Sequence, residues 1–531
     1  MTIENEQKPS LRVQSSWLLA AKTIGFFLGF LLPFLVVRYL EQTQVGIYRQ
    51  AFQVITTVVT ILPLGFNMSV YYFLGREKEN RGQIVFNILL FNFVVGGLGF
   101  LILAIWPQLL SSIFHNEQIE KLAPAIGFVI WLWITAAFLE IVAIANQEPK
   151  MATTFIVLSQ LTKTALMAGA VLIFSSVESF IYAAMIQGAL QILVLIFYLR
   201  SRFPGFWRGF DPGIFRRQMT YALPFGGVGL LYVLQNDLHS YFVGNKFTPA
   251  DYAVYSYGCF QLPLLSVLYE SVSSVLIPRM SELQAKNDKR GMFDLTLRAV
   301  ERLALFYFPA YVLLLIVASE MIVTLFTDDY SASIPIFIIN ITLVPLSILI
   351  TDPIVRAFKE LGSYLFWLRV VVVAGIALTL WSGVFPLSLT VAISVVVFWT
   401  IVERVFSTWK VIRALELETK DLDKLSRLIK TGLAATLTGL VVYLAHWYWR
   451  DSAPHIAQRI CWAVSEACPP AVVSFFSGAL VLVVCGIIYL ALYMVLAPWL
   501  GVISDEEKAS VKGLFTKLRN KLQPARMGVS G

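Results

Sequence analysis

The sequence predicts an all-α polytopic membrane protein of about 14 transmembrane helices, arranged as two pseudo-symmetric six-helix lobes followed by two extra helices. Three observations carry this. Of 531 residues, 58% are apolar and 14% charged, a composition far from that of a soluble domain. At roughly 20 apolar residues per span, this suffices for on the order of 12 to 15 spans. The apolar residues also come in runs between charged or Pro/Gly-rich breaks, and the basic residues gather in alternate breaks.

The amino-terminal stretch MTIENEQKPSLRVQSS is polar and has no Ala-x-Ala cleavage site. The first run, 16–38, is therefore expected to be a retained span, with the mature chain beginning at Met1. Runs at 50–74, 83–106, 122–146, 152–174 and 179–199 complete an amino-terminal lobe, residues 1–199. A second lobe, 200–415, takes the runs 221–244, 251–278, 299–326, 333–355, 363–382 and 386–412. The charged stretch ELETKDLDKLSR, 416–427, then precedes runs 428–448 and 472–499 in the segment 416–500. In the tail, 501–531, Val511, Leu514, Phe515, Leu518 and Leu522 recur at helical spacing beside lysines. That pattern reads as an amphipathic helix on the anionic inner leaflet.

An even number of spans puts both termini on one side. Of the 41 Lys and Arg residues, 32 fall on the side of the amino terminus, six on the other and three inside spans. Short basic loops stay cytoplasmic, so both termini are expected there. The formal charge of +8 belongs to these loops and implies no nucleic-acid partner. The chain has no P-loop, GxSxG elbow, dinucleotide fingerprint or zinc-type His/Cys cluster, and its four histidines are dispersed. No metal, nucleotide or other cofactor is expected.

An internal repeat supports the two-lobe reading. VGIYRQAFQV (45–54) resembles YAVYSYGCFQL (252–262); Asn80, Arg81 and Gly82 correspond to Lys289, Arg290 and Gly291; SSIF (111–114) before Pro124 corresponds to VTLF (323–326) before Pro335. The matches occur in order at nearly constant offset. Six spans per repeat is an even number, so the halves enter the membrane in the same sense, related by an axis along its normal.

The arrangement of six, six and two spans, the cytoplasmic amino terminus, the turn LEQTQVGIYRQ (40–50) and the segment LFTDDYSASIPIF (325–337) together resemble one branch of the multidrug/oligosaccharidyl-lipid/polysaccharide exporter superfamily. It is the polysaccharide-transporter branch, which contains the bacterial flippases for lipid-linked oligosaccharides. The likeness runs along the whole chain through loose turn patterns, which identify a family and not a substrate. It implies a non-enzymatic flippase of the bacterial plasma (inner) membrane that moves undecaprenyl-diphosphate-linked repeat units for O-antigen, capsule or exopolysaccharide synthesis. Two lobes would alternate between inward and outward openings around a cleft lined by cations. The implied partners are the lipid-linked substrate, membrane lipids, a polysaccharide polymerase and chain-length machinery.

Ionisable residues inside spans are costly, so each is a functional candidate. Lys22 shares a face with Gly25, Gly29 and Pro33, and either contacts a diphosphate or snorkels to the interface. Lys163 lies roughly 16 Å into its span at ~1.5 Å per residue, too deep to snorkel easily; Gln160 and Thr164 share its face. It either binds ligand or pairs with Glu140 of the preceding span. In YVLQNDLHSYF (232–242), Asp237 and His239 are candidates for proton or sodium coupling, although two residues of helix point them about 200° apart. Packing among polar neighbours is the alternative for each. Glu270 sits on a polar stripe with Pro263, Ser266, Ser273 and Ser274 and is a candidate for lining the cleft. Arg38 and Arg49 bracket the outer turn after the first span, as a phosphate exit or as interfacial anchors, and Arg369 is shallow enough to snorkel.

Cys461 and Cys468 fall in the last outward loop. They are a candidate disulfide if that loop is not helical, since two helical turns would hold them too far apart. Two rival functions stay open. A cation-coupled drug antiporter of the same superfamily would favour acidic cleft residues and 12 spans. A glycan ligase or polymerase would carry a large outward catalytic loop, whereas the longest here is 449–471.

Overall fold

The computed structural model describes residues 23, 25, 28–29, 32–77, 79–260, 262–418, 420–421, 425–464 and 469–502. Lys22, Cys468, the tail helix and much of the first predicted span lie outside them, as does the side chain of Cys461. Among the described residues every regular element is a helix, the form in which a chain satisfies its own backbone within hydrocarbon.

Nine described helices are long and apolar enough to cross a membrane, or ten if one bent pair counts as a single span. They include Arg81–Ile105, Pro149–Phe174, Val177–Arg202, Glu360–Trp381, Leu389–Ala414 and Val472–Trp499, each within a few residues of its predicted run. The expected 14 are not reached, partly because several runs are not continuous helices. The run 50–74 is split into Gln42–Ile61 and Phe66–Phe73, bent by 47°. Pro63 lies at this break, and Leu64 (φ 48°) and Gly65 (φ 68°) adopt left-handed backbone, which ends α-helical hydrogen bonding. The run 251–278 is divided between Pro249–Gly258 and Pro263–Ala285. The run 333–355 is reduced to Ser333–Ile341, a 3-10 turn at Pro345–Ile348 and Asp352–Ala357. The run 221–244 is one helix, Pro212–Lys246, too polar to qualify as a span by hydropathy.

The chain forms two compact units, each assembled from separate stretches of sequence. The first comprises Met1–Val267, Leu325–Asn340 and Lys359–Ser407; the second comprises Leu268–Thr324, Ile341–Phe358 and Thr408–Gly531. In the first unit, small residues allow helices to approach closely. Gly96 of Arg81–Ile105 lies against Trp131 of Glu117–Ala136, and Gly127 lies against Phe100. Gly226 sits against the carbonyl of Leu64, so Pro212–Lys246 crosses at the break in the preceding span. In the second unit, Lys289–Ile316 packs on Ser426–Trp449, which packs in turn on Pro470–Trp499. His446 there meets Glu320 at 2.8 Å.

The repeat reappears as geometry inside the first unit. The helices Gln42–Ile61 and Pro249–Gly258, which carry the two copies of the motif, pack against each other. The Nε of Arg49 donates to Ser256 Oγ at 3.1 Å across 207 residues, the spacing of the aligned motifs. The SSIF and VTLF copies both lead into left-handed residues, His115 (φ 48°) and Thr327 (φ 72°). A Cβ at Gly46 would collide with the Pro249 carbonyl. Gly46→Ala should therefore destabilise the protein by about 1–3 kcal/mol through overpacking, read as a lowered thermal midpoint in detergent. Gly486→Ala, where the added atom meets nothing within 4 Å, should hold or slightly raise it.

Candidate functional site

The membrane-embedded polar groups of the first unit gather around the helix Gln42–Ile61. At its amino-terminal end, Arg38 donates to the carbonyls of Phe34 (2.8 Å) and Leu325 (2.9 Å). Gln42 donates to the carbonyl of Asp329 at 3.0 Å. About two turns further on, the Arg49 guanidinium lies 5.3 Å from the ring centre of Tyr257. Tyr257 stacks on Phe326 at 4.4 Å and meets Tyr330 edge-on at 5.1 Å. Both arginines thus bear on the LFTDDY segment, one through its backbone and the other through its aromatic platform. A cation over a ring face is held by the ring's quadrupole without being neutralised.

Lys163, on Pro149–Phe174, takes the same kind of partner. Its ammonium lies 4.5 Å from the ring centre of Trp133, and Phe52 of the central helix meets Trp133 at 6.1 Å. Of the two sequence alternatives, the ion pair with Glu140 does not form among the described residues; Glu140 has interactions of its own. The stripe flanking Lys163 is covered by the first segment. Gly25 and Gly29 lie against Gln160, and Thr164 donates to the carbonyl of Leu28 at 3.4 Å. The small-residue face read from Gly25 and Gly29 is thus the one a neighbouring helix approaches. Lys22, on that face by sequence, lies outside the described residues.

The helix Pro212–Lys246 sends its polar side chains in separate directions, as the 200° between Asp237 and His239 requires. Asp237 accepts from Thr57 Oγ1 at 2.7 Å, and Thr57 accepts from Gln53 at 3.1 Å. This chain of hydrogen bonds ties Asp237 to the central helix. His239 is buried, with Nδ1 2.7 Å from the Tyr255 hydroxyl. Gln235 donates to Glu403 at 2.6 Å, and Glu403 pairs with Arg369 at 3.1 Å. Arg369 is therefore not an interfacial snorkelling residue. Its partner is 34 positions away on another helix, a separation that no periodicity reveals. Glu270 lies exposed on Pro263–Ala285 in the second unit. Cys461 falls within the helix Ala453–Val464. Among the described residues, no cluster of three or more His, Cys, Asp or Glu side chains is placed to hold a metal ion.

The pattern is one of two cations, Lys163 and Arg49, on aromatic faces without carboxylate partners among the described residues, beside a carboxylate network that neutralises Arg369. A model of the polysaccharide biosynthesis protein family matches residues 54–335, more than half of the chain. The chain belongs to this family. No curated protein sequence matches it. Among solved structures, the fold of this family member is similar to that of the lipid II flippase MurJ in an inward closed conformation. The TM-score is 0.61 at 15% identity, covering 91% of this chain and 98% of the other. An inward-facing multidrug resistance MATE family transporter of the MOP superfamily gives a TM-score of 0.62 at 13% identity, covering 74% and 94%. A MOP superfamily transporter from Pyrococcus furiosus gives 0.53 at 14%, covering 79% and 100%. The fold is that of the MOP superfamily, as the sequence resemblance implied.

Removing one member of a buried ion pair strands the other. Glu403→Ala should cost about 3–5 kcal/mol. The double substitution Glu403→Leu with Arg369→Met should recover most of this loss, a coupling that a double-mutant cycle on thermal midpoints would read.

Proposed function

We propose that the chain is a flippase that carries undecaprenyl-diphosphate-linked oligosaccharide repeat units from the inner to the outer leaflet of the bacterial plasma membrane. It works by alternating access, with both termini cytoplasmic, and serves surface polysaccharide (O-antigen, capsule or exopolysaccharide) synthesis. Lys163, Arg49, Arg38 and Lys22 neutralise the diphosphate in this reading, with Glu270 lining the path. Asp237, His239 and Glu140 are the groups for ion coupling. The two six-span lobes at 1–199 and 200–415 move against each other, and the polymerase and chain-length machinery receive the product.

The observation that carries the reading is the pair of cations Lys163 and Arg49, held by aromatic faces and not by carboxylates among the described residues. A cation covered by a ring stays available to an anionic substrate; one locked to a carboxylate does not. The family assignment supports the same direction. So does coverage: the flippase fold accounts for 91% of this chain and the multidrug transporter for 74%.

A drug antiporter is the second reading, favoured by Asp237 on its Thr57–Gln53 hydrogen-bond chain. Gene deletion and complementation separate the two. The deletion strain should lose surface polysaccharide and accumulate lipid-linked repeat units, and wild type should restore both. Well-expressed Lys163→Ala or Arg49→Ala should restore surface glycan about 10- to 100-fold less, as expected for losing one charge-assisted contact of about 1.5–3 kcal/mol. Normal surface glycan and no accumulation in the deletion strain would favour the antiporter.

A further inference from the structure

A cavity of about 590 Å³ in the first unit, away from Lys163 and Arg49 in sequence, is lined by Tyr72, Arg76, Glu77, Arg216, Arg217 and Tyr221 among others. We infer that it is a loading site for the sugar-diphosphate headgroup of a membrane lipid, an inference that rests on the flippase reading above. Its volume falls in the range of sites that enclose small-molecule groups. Arg216 and Arg217 lie in the first turns of Pro212–Lys246, and Thr220 and Tyr221 follow them at i+4, so both pairs face the cavity from one helix. Arg76 and Glu77 come from the turn after Ser69–Phe73.

Two kinds of group converge there, each matched to a part of that ligand. Among the described lining residues, three guanidiniums face a single carboxylate. Arg217 pairs with Glu77 at 2.9 Å and is 57% exposed. Arg76 is exposed, lying 4.0 Å from the ring centre of Tyr72 and bonded to its hydroxyl. Arg216 is exposed, and its guanidinium makes no ion pair among the described residues. The surplus of two positive charges equals the charge of a diphosphate diester, and guanidinium forks grip phosphate oxygens two at a time. Tyr72 and Tyr221 stack at 4.6 Å with 28° between their planes, a flat wall for a sugar face.

Soluble nucleoside-diphosphate sugars share this chemistry. The lipid-linked form is favoured by Trp207 and Phe210, which shortly precede the helix Pro212–Lys246 in the sequence and are 49% and 47% exposed, since aromatic side chains of this kind mark the headgroup zone. The arginines also fall on the side that charge distribution assigns to the cytoplasm, where the substrate is loaded.

The test uses the full chain in phosphatidylcholine nanodiscs, with undecaprenyl-diphosphate-linked monosaccharide as the probe and binding read by native mass spectrometry. Arg76→Gln combined with Arg216→Gln should weaken binding about tenfold or more, while Arg298→Gln, an exposed arginine of the second unit, should bind as wild type does. Arg216→Lys should be intermediate, keeping charge without the fork. Unchanged affinity in the double variant overturns the loading site and leaves the flippase reading standing. Equal displacement of the probe by a uridine-diphosphate sugar overturns the lipid assignment, and equal displacement by phosphatidylglycerol overturns the sugar-diphosphate assignment. A wild-type protein that binds no probe overturns the flippase reading itself.

Discussion

A charged side chain in a hydrocarbon layer must be paired, covered or reserved for a ligand, because solvating it there costs several kcal/mol. Cations of the first unit include both paired and covered ones. Arg369 is paired with Glu403, which also accepts from Gln235, and so is removed from any exchange with substrate. Lys163 and Arg49 are covered by Trp133 and Tyr257. In the flippase proposed above, covering would keep a cation in place until a diphosphate takes it. In that proposal the division between paired and covered cations separates scaffold from site.

Arg49 stands at the contact between the two helices that carry the repeated motif. The helices Gln42–Ile61 and Pro249–Gly258 descend from one motif and meet where Arg49 faces Ser256. A serine stands at the position of the second motif aligned with Arg49, so the contact carries one positive charge and a donor–acceptor pair in place of a like-charge clash. Both helices also stop short, at Pro63–Gly65 and before Pro263. Broken helices expose backbone groups only where the surrounding protein can satisfy them, and Gly226 packing on Leu64 provides such cover.

Much of this was legible in the sequence, and what was not has physical reasons. Long uniform apolar runs such as 83–106 and 472–499 predicted their helices because nothing within them interrupts the backbone. The repeat was visible as three ordered matches, and its 207-residue spacing returned as a hydrogen bond. The opposed directions of Asp237 and His239 followed from helix geometry alone. Breaks were missed where a proline and left-handed residues act together, since Pro63 alone does not reveal that Leu64 turns left-handed. The Arg369–Glu403 pair was missed because tertiary partners on separate helices leave no local signal. Trp133 under Lys163 was missed for the same reason: an aromatic in a membrane span reads as lipid contact until its neighbour is known.

Transport of a lipid-linked sugar along ring-covered cations is read by translocation with the purified protein in liposomes, using a fluorescent undecaprenyl-diphosphate oligosaccharide whose outer-leaflet fraction is bleached by an impermeant reductant. The account predicts that wild type makes the inner-leaflet pool accessible and that Lys163→Ala slows this well below wild type. A pool that stays protected with wild-type protein, in vesicles where the same protein drives ion-coupled drug movement, would contradict it.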